Sequence, residues 1–553
     1  MTRPANAVPT PLGTLVEAAA PAVAPLSIVT PPRLFAGSSN ADPNRESIGA
    51  DGVGMVGGDR LALSLDARSV TVTELERRVR QKATWLRGDA GIPAGGSIAV
   101  LADNCIEAIE VLIAGLIGSI WVVPVNTQLT PQEAAYVVGD ARCRLILADD
   151  KHATLARNIA SVRGIAHLGL TALHEHSDAI APAPLDMDAP PGGRMVYTSG
   201  TTGFPKGVRR HNPPTVGDAL TAQRASGLAL GLDGVGTHLM TGPWYHAAVS
   251  GYGLFDLLNG AHVHILRRFD ATSALAAIDR LQVTHTHMVP TMFERLVRLP
   301  DEVKGAFDGG SLRLVLHGAA PIRPETKAAI LDWFGPDVVV EYWGSSEVGT
   351  VSLISGADWL QHPGSVGRPI DGWSVTVRDE AGTMVADGTV GTLFCEHRSG
   401  VRRFAYHGDD AKTDAAHIDA KFTPGDVGWV DDGYIYLAGR ASNMIISGGV
   451  NIYPAEVEAV LTRHPAVLDA AVFGVPDDEW GERVHAVVSL TLADRSAAID
   501  LSDELIEFCR LHLARYKCPR SIDIVGSLPR RDDGKLAIRT LRDPYWADRQ
   551  RKI

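Results

Sequence analysis

The chain has 553 residues, 45% hydrophobic and 21% charged, with a net charge of −12 and a pI near 5.9. That length exceeds a single core and suggests roughly three or four units of about 150 residues, of ordinary globular composition. The acidic balance, with no Lys/Arg block, excludes a general nucleic-acid binder but leaves room for a local basic groove around an anionic cofactor.

Residues 1 to about 55 read as an irregular segment rich in Ala and Pro, with one short helix expected at Leu12–Ala20. Glu17 and the repeated prolines interrupt any signal-peptide core. TVTELERRVRQKATWLR (Thr71 to Arg87) sets Leu75, Val79 and Leu86 on one helical face, with Thr73 as the expected N-cap. SIAVLA (Ser97 to Ala102) reads as a buried strand. VLIAGLIGSIWVVPV (Val111 to Val125) is too short for a membrane span, which needs about 20 residues, and reads as a buried helix entering a buried strand. In LTPQEAAYVVGD, Thr130 caps a helix with Pro131 at its first position. RLILAD adds another strand, so strands and helices alternate as in a parallel α/β sheet. The alternation resumes from Met195 to about Phe334 through HVHIL, THTHMV and LRLVLHG. From about Ser365 to Ala438, short strands between glycines predict a small β-structure. A mixed α+β segment follows Arg440, with helices at about 454–463 and 501–515. The five cysteines, at 105, 143, 395, 509 and 518, form no C-x-x-C pair, which argues against a zinc or redox site and fits a cytoplasmic location.

Within this frame, YTSGTTGFPKGV (Tyr197 to Val208) lies between two expected strands. Its glycines free the backbone, its hydroxyls and N–H groups could cradle phosphate oxygens, and Lys206 adds positive charge. It is not a Walker loop: Pro205 stands where the second Gly should be, and Gly207 where a Ser or Thr would bind magnesium. Taken alone, it could equally be a Gly/Ser/Thr hairpin turn. PWYHAA (Pro243 to Ala248) could be an aromatic cluster around a satisfied His246, and HGAAP (His317 to Pro321) an ordinary strand-end turn. Glu347 in EYWGSSEVG could be a loop carboxylate and Lys535 in LPRRDDGKLAIRTLR a solvent-facing turn lysine. The pairs His262/His264 and His285/His287 each share a strand face, but no carboxylate set completes a metal pattern, so everyday partners are expected.

Taken together and in order over residues of about 60 to 540, these stretches resemble the adenylate-forming enzymes: acyl-CoA synthetases, firefly-type luciferases and peptide-synthetase adenylation domains. The resemblance implies an α/β fold. Its large N-terminal domain (56–439) is built of stacked α/β subdomains plus a small β-structure. A hinge at 440–443 and a smaller, mobile α+β C-terminal domain (444–553) follow. It further implies that Thr198, Ser199, Gly200, Thr201, Thr202, Gly203 and Lys206 hold the β- and γ-phosphates of ATP. Gly318, Ala319 and Ala320 would line the adenine and acyl pockets, with Trp343, Gly344, Ser345 and Ser346 against the base. Trp343 replaces the family Tyr and Ser346 the commoner Thr. Glu347, with Thr198, would hold Mg²⁺, a hard cation that takes oxygen ligands. Asp426 would meet the ribose hydroxyls and Arg440 the ribose and phosphates. Rotation would occur at Ser442, where Ser442 and Asn443 replace the usual charged hinge pair, and the Gly448–Gly449 loop would approach coenzyme A. Lys535 would be the near-terminal catalytic lysine, and His246 would lie beside the reacting carboxylate. WYHAAVS has no Asp to pair with an α-amine, which favours an acid without one.

The function implied is an ATP-dependent acyl-CoA ligase working through acyl-AMP, with a small carboxylic acid and coenzyme A as partners. The competing readings are a fatty acyl-AMP ligase delivering to a carrier protein, a luciferase-like oxidoreductase, and a non-catalytic nucleotide-binding relative. The lack of a carrier domain in the sequence favours free coenzyme A. The tail DPYWADRQRKI and small residues Gly251 and Gly253 resemble ligases for fatty and steroid-derived acids, hence a place in lipid metabolism. A homodimer is the assembly considered.

Overall fold

Strand SIAVL (Ser97–Leu101) is buried at every position, as are Thr237–Met240, His262–Ile265 and Leu314–Gly318. Strands of this kind need cover on both faces, as a parallel sheet flanked by helices supplies. The computed structural model of the chain describes residues 55–56, 59–198, 205–379, 381–440, 443–447, 450–478, 480–491, 498–531 and 534–547. The helix expected at Leu12–Ala20 lies outside them.

Two parallel-rich sheets form. The first has seven strands, ordered Phe404–Tyr406, Lys206–Arg210, Gly193–Thr198, Trp121–Pro124, Ser97–Leu101, Cys143–Ala148 and Ala166–Gly169. Only the two pairings involving Lys206–Arg210 are antiparallel. The second has ten strands. Its parallel centre runs Asp59–Leu65, His262–Ile265, Thr237–Met240, Val283–Met288, Leu314–Gly318 and Val339–Ser345. The apolar run at 111–125 is the end of helix Ile106–Ile117 followed by strand Trp121–Pro124. That helix sits between the sheets: one apolar cluster joins Ile98 and Val100 to Met240 and Val263 through Ile109, Leu112 and Ile113.

Helix Val72–Arg87 buries Leu75, Val79 and Leu86 as expected, but its N-cap is Thr71, not Thr73. Thr71 Oγ1 accepts from Glu74 N at 3.3 Å, while the Thr73 N–H is taken by Asp59 at 3.1 Å. Two residues further along, Thr73 is already inside the first turn. Thr130 caps Pro131–Asp140 with a reciprocal capping box to Glu133.

A six-stranded antiparallel-rich sheet between Trp373 and Arg440 makes the small β-structure. The C-terminal segment adds a five-stranded sheet backed by helices Pro454–Leu461 and Ala498–His512. The fold is thus mixed α/β, with a large N-terminal part and a smaller α+β C-terminal part. Three of the four histidines in the His-x-His pairs have everyday partners. His262 and His264 share Ser64 Oγ at 2.7 Å each and His287 meets Tyr342 OH at 3.1 Å, but His285 has two carboxylates, Asp256 at 2.9 Å and Asp233 at 3.7 Å, a grouping the sequence pattern did not show. Among the described residues, no helix is long and apolar enough to cross a membrane.

Candidate active site

In open parallel sheets, ligands sit beyond the carboxyl ends of the strands. Here those ends carry the sequence-predicted residues. Strand Thr237–Met240 leads to His246, Leu314–Gly318 to Ala319 and Ala320, and Val339–Ser345 to Ser346 and Glu347. Their neighbour Val283–Met288 leads to Thr291 at the start of helix Pro290–Val297. In the first sheet, Gly193–Thr198 ends at the glycine-rich loop.

That loop closes a hairpin in which Thr198 pairs with Lys206. Ser199, Gly200, Thr201, Thr202 and Gly203 lie outside the described residues. Gly207 has no alternative beside it: a Cβ there would lie 2.9 Å from the ring of Tyr197, which turns away to donate to Asp140 at 2.6 Å. Lys206 Nζ sits 4.7 Å above the Tyr406 ring, and Tyr406 OH donates to Glu347 Oε1 at 3.3 Å. One phenol therefore links the loop lysine to the carboxylate expected to hold magnesium. Burial, followed by repulsion from Lys412, pulls the Lys206 ammonium below its ordinary range. Tyr406 was not legible beforehand. It belongs to a three-residue strand whose neighbour is known only once Phe404–Tyr406 pairs with Lys206–Arg210.

The turn carrying Glu347 is fixed from behind by Arg210, whose Nε donates to Ser346 O at 3.0 Å. Gly344 is required there, since a Cβ would fall 1.9 Å from Gly349 O. Ser345 Oγ is buried with no hydrogen-bond partner among the described residues, an acceptor and donor left for a ligand. Trp343 is 6% exposed, and its indole N–H donates to Asp426 Oδ2 at 2.9 Å. The hydrogen bond fixes the plane of the ring, so any face offered to a base is set by Asp426. The other oxygen of Asp426 meets Arg440 Nε at 3.0 Å, its direct cross-strand partner. Burial raises the Asp426 carboxyl above its ordinary range despite both partners.

Gly318 ends its strand against Tyr342, whose carbonyl would be 2.4 Å from an added Cβ. Ala319 then takes φ 67, a left-handed conformation uncommon for a residue with a side chain, and is exposed. His246 is the N-cap residue of helix Ala247–Asn259, and its carbonyl accepts from Ser250 N at 3.2 Å.

The C-terminal part is docked over this edge. Arg323 Nη1 donates to Leu468 O at 3.3 Å. The turn bearing Lys535 is held by Arg531 N to Lys535 O at 2.9 Å and lies against Thr291, 2.4 Å from where a Gly534 Cβ would stand. The structure therefore gathers Thr198, Lys206, His246, Ala319, Glu347 and the Lys535 turn along the strand ends, with the Trp343–Asp426–Arg440 set at one side. Ser442, Gly448 and Gly449 lie outside the described residues.

A model of the AMP-binding enzyme family matches residues 54–403, and one of the AMP-binding enzyme C-terminal domain matches 456–535. A feruloyl-CoA synthase of Amycolatopsis sp is 33% identical over 471 residues, covering 85% of this chain and 92% of that protein. The fatty acid–[acyl-carrier-protein] ligase ScoC of Streptomyces coeruleorubidus is 30% identical over 517 residues, covering 89% and 95%. Among solved structures, the o-succinylbenzoate CoA synthetase of Bacillus subtilis, in complex with its acyl-adenylate intermediate, superposes with a TM-score of 0.75 at 26% identity. It covers 90% of this chain and 97% of that one.

Proposed function

The chain belongs to the AMP-binding, adenylate-forming enzymes and is an ATP-dependent acyl-CoA ligase, and we propose that its residues divide the work as follows. In the first half-reaction, a carboxylate oxygen bonds to the α-phosphorus of ATP. The α–β anhydride bond breaks and pyrophosphate leaves with the electron pair. Thr198 and Lys206, with the loop they anchor, hold the departing phosphates. Asp426 and Arg440 position the ribose, and His246 lies beside the attacking carboxylate. Lys535 reaches the α-phosphate and neutralises charge that develops only in the transition state, which is where such contacts are worth most.

The donor set suits Mg²⁺: Glu347 would supply a carboxylate and Thr198, next to the phosphate loop in sequence, a hydroxyl, both hard oxygens. Bound there, the ion would screen the polyphosphate charge.

In the second half-reaction, the thiol of coenzyme A loses its proton, its sulfur bonds to the acyl carbonyl carbon, and AMP leaves. For this the C-terminal part (444–553) rotates about Ser442 and the loop at Gly448–Gly449 replaces the Lys535 turn. A cytoplasmic setting is supported by the free cysteines, four of the five buried.

The observation that carries this reading is the seating of the Lys535 turn on Thr291, at the strand edge that holds His246, Ala319 and Glu347. Incubation with an acid, ATP and Mg²⁺, with and without coenzyme A, tests it. AMP, pyrophosphate and a thioester are expected. An acyl-AMP that accumulates regardless of coenzyme A would instead support delivery to a carrier protein, the activity named for ScoC.

A further inference from the structure

Arg194 lies four residues ahead of Thr198 in strand Gly193–Thr198, on the same face of the sheet. At about 3.3 Å per residue that puts it roughly 13 Å from the start of the phosphate loop, too far to serve the triphosphate. Its guanidinium rests on the first turns of helix Ala247–Asn259. Nη1 donates to Ser250 Oγ, and a Cβ on Gly251 would lie 3.2 Å from Nη2. The bare backbone at Gly251 is what lets the guanidinium lie against the helix. Ser250 donates in turn to the His246 carbonyl at 3.1 Å.

The charge of Arg194 is not matched. Among the described residues, no carboxylate lies within ion-pair distance of it, and its one acceptor is the Ser250 hydroxyl. Its neighbour on the adjacent strand is another cation, Arg210, with Arg403 beside that; Arg210 uses its Nε on the Ser346 carbonyl. Burial, then repulsion from Arg210, lowers the Arg194 guanidinium to about 9. Arg194 nevertheless keeps accessible surface. The residue is half-buried, with its guanidinium set between the sheet and the start of helix Ala247–Asn259. A guanidinium there without a counter-ion is strongly unfavourable until an anion arrives.

We propose that Arg194 receives a second carboxylate of the acid substrate, making this ligase selective for short dicarboxylic acids over the matching monoacids. The assignment rests on the reading that His246 lies beside the carboxylate being activated. Ser250 is one helical turn beyond His246, with side chains about 5–6 Å apart on the same face. The two carboxylates are therefore separated by only a few carbon atoms. Arg210 and Arg403 add positive potential to the same wall.

The test compares straight-chain acids of four to eight carbons, each as monoacid and diacid, alongside long-chain and aromatic monoacids, by pyrophosphate release and thioester formation. The wild-type enzyme, Arg194→Leu and Arg194→Lys are assayed in parallel, with ATP binding and thermal unfolding measured on each. A charge-assisted hydrogen bond lost from an enclosed site predicts a diacid preference of roughly 10–100-fold at one or more lengths. Arg194→Leu should abolish or invert it, and Arg194→Lys should retain part of it. Monoacids preferred at every length would overturn the proposal. So would Arg194→Leu lowering kcat/KM equally for both series while ATP binding and unfolding are unchanged. Turnover of long-chain or aromatic monoacids but of no short diacid would overturn the proposal and leave the ligase standing. No pyrophosphate from any acid would overturn the ligase reading itself.

Discussion

Trp343 and Asp426, far apart in the chain, meet through a 2.9 Å hydrogen bond from the indole N–H to Oδ2. Arg440 occupies the other oxygen at 3.0 Å, so the carboxylate assigned to the ribose is oriented from two sides before nucleotide binds. Burial works against its ionised form, and these two donors oppose that tendency.

Trp343→Phe keeps an aromatic face but removes the donor. A hydrogen bond to a charged group is worth about 1.5–3 kcal/mol, so KM for ATP should rise roughly 10-fold or more while kcat changes little. Steady-state kinetics with ATP varied at saturating acid provides the measurement. An unchanged KM would mean that the indole N–H plays no part in holding Asp426.

The two α/β layers were legible because period and burial agree: strand Ser97–Leu101 is buried throughout and helix Ile106–Ile117 at every position but Glu107, as their composition requires. Candidates for the site could be named where motif order along the chain sufficed, as for Glu347, Asp426 and Lys535. The site was not legible where pairing supplies the neighbour. Tyr406 and Thr291 sit in unremarkable stretches, FAY and PTM, and matter only because of what packs against them. The cap at Thr71 was missed because two threonines flank Val72 and only a tertiary bond, Thr73 N to Asp59, decides between them.

Lys535→Ala should separate the half-reactions. Loss of an electrostatic contact made in the transition state costs about 10²–10³-fold. Pyrophosphate release should fall by that factor, while thioester formation from supplied acyl-AMP and coenzyme A should stay within about 2-fold of wild type. Equal loss in both assays would count against a C-terminal part that works in two positions.

Gly534→Ala should show the same division without removing the lysine. Gly534 has φ 76, and an added Cβ would overlap Thr291 Oγ1 at 2.4 Å. The turn must lift from the strand edge, so adenylation should drop roughly 10-fold or more, since small misplacements of a positioned group are costly. The double variant Gly534→Ala, Thr291→Ala relieves the overlap but not the backbone strain and should recover part of the loss. No recovery would place the defect in the glycine backbone alone.

Glu458 provides a test of stability against pH. Its Oε1 accepts from Val472 N at 2.9 Å. Burial, reinforced by Asp469 and opposed by the Val472 N–H and Arg530, pushes the carboxyl from 4.5 up to about 7. A raised carboxyl means that the folded state holds the proton more tightly than the unfolded state. The stabilising contribution is therefore complete below about 4.5, declines as pH rises through the window to about 7, and is lost above it. Glu458→Gln keeps the acceptor for Val472 N–H but cannot ionise. The variant should match wild type near pH 5 and exceed it at pH 8 by ~1–3 kcal/mol. Urea denaturation at pH 5, 6, 7 and 8 supplies the comparison, in which titrations common to both proteins cancel. Two curves that stay parallel across the window would show that Glu458 ionises freely in the folded protein.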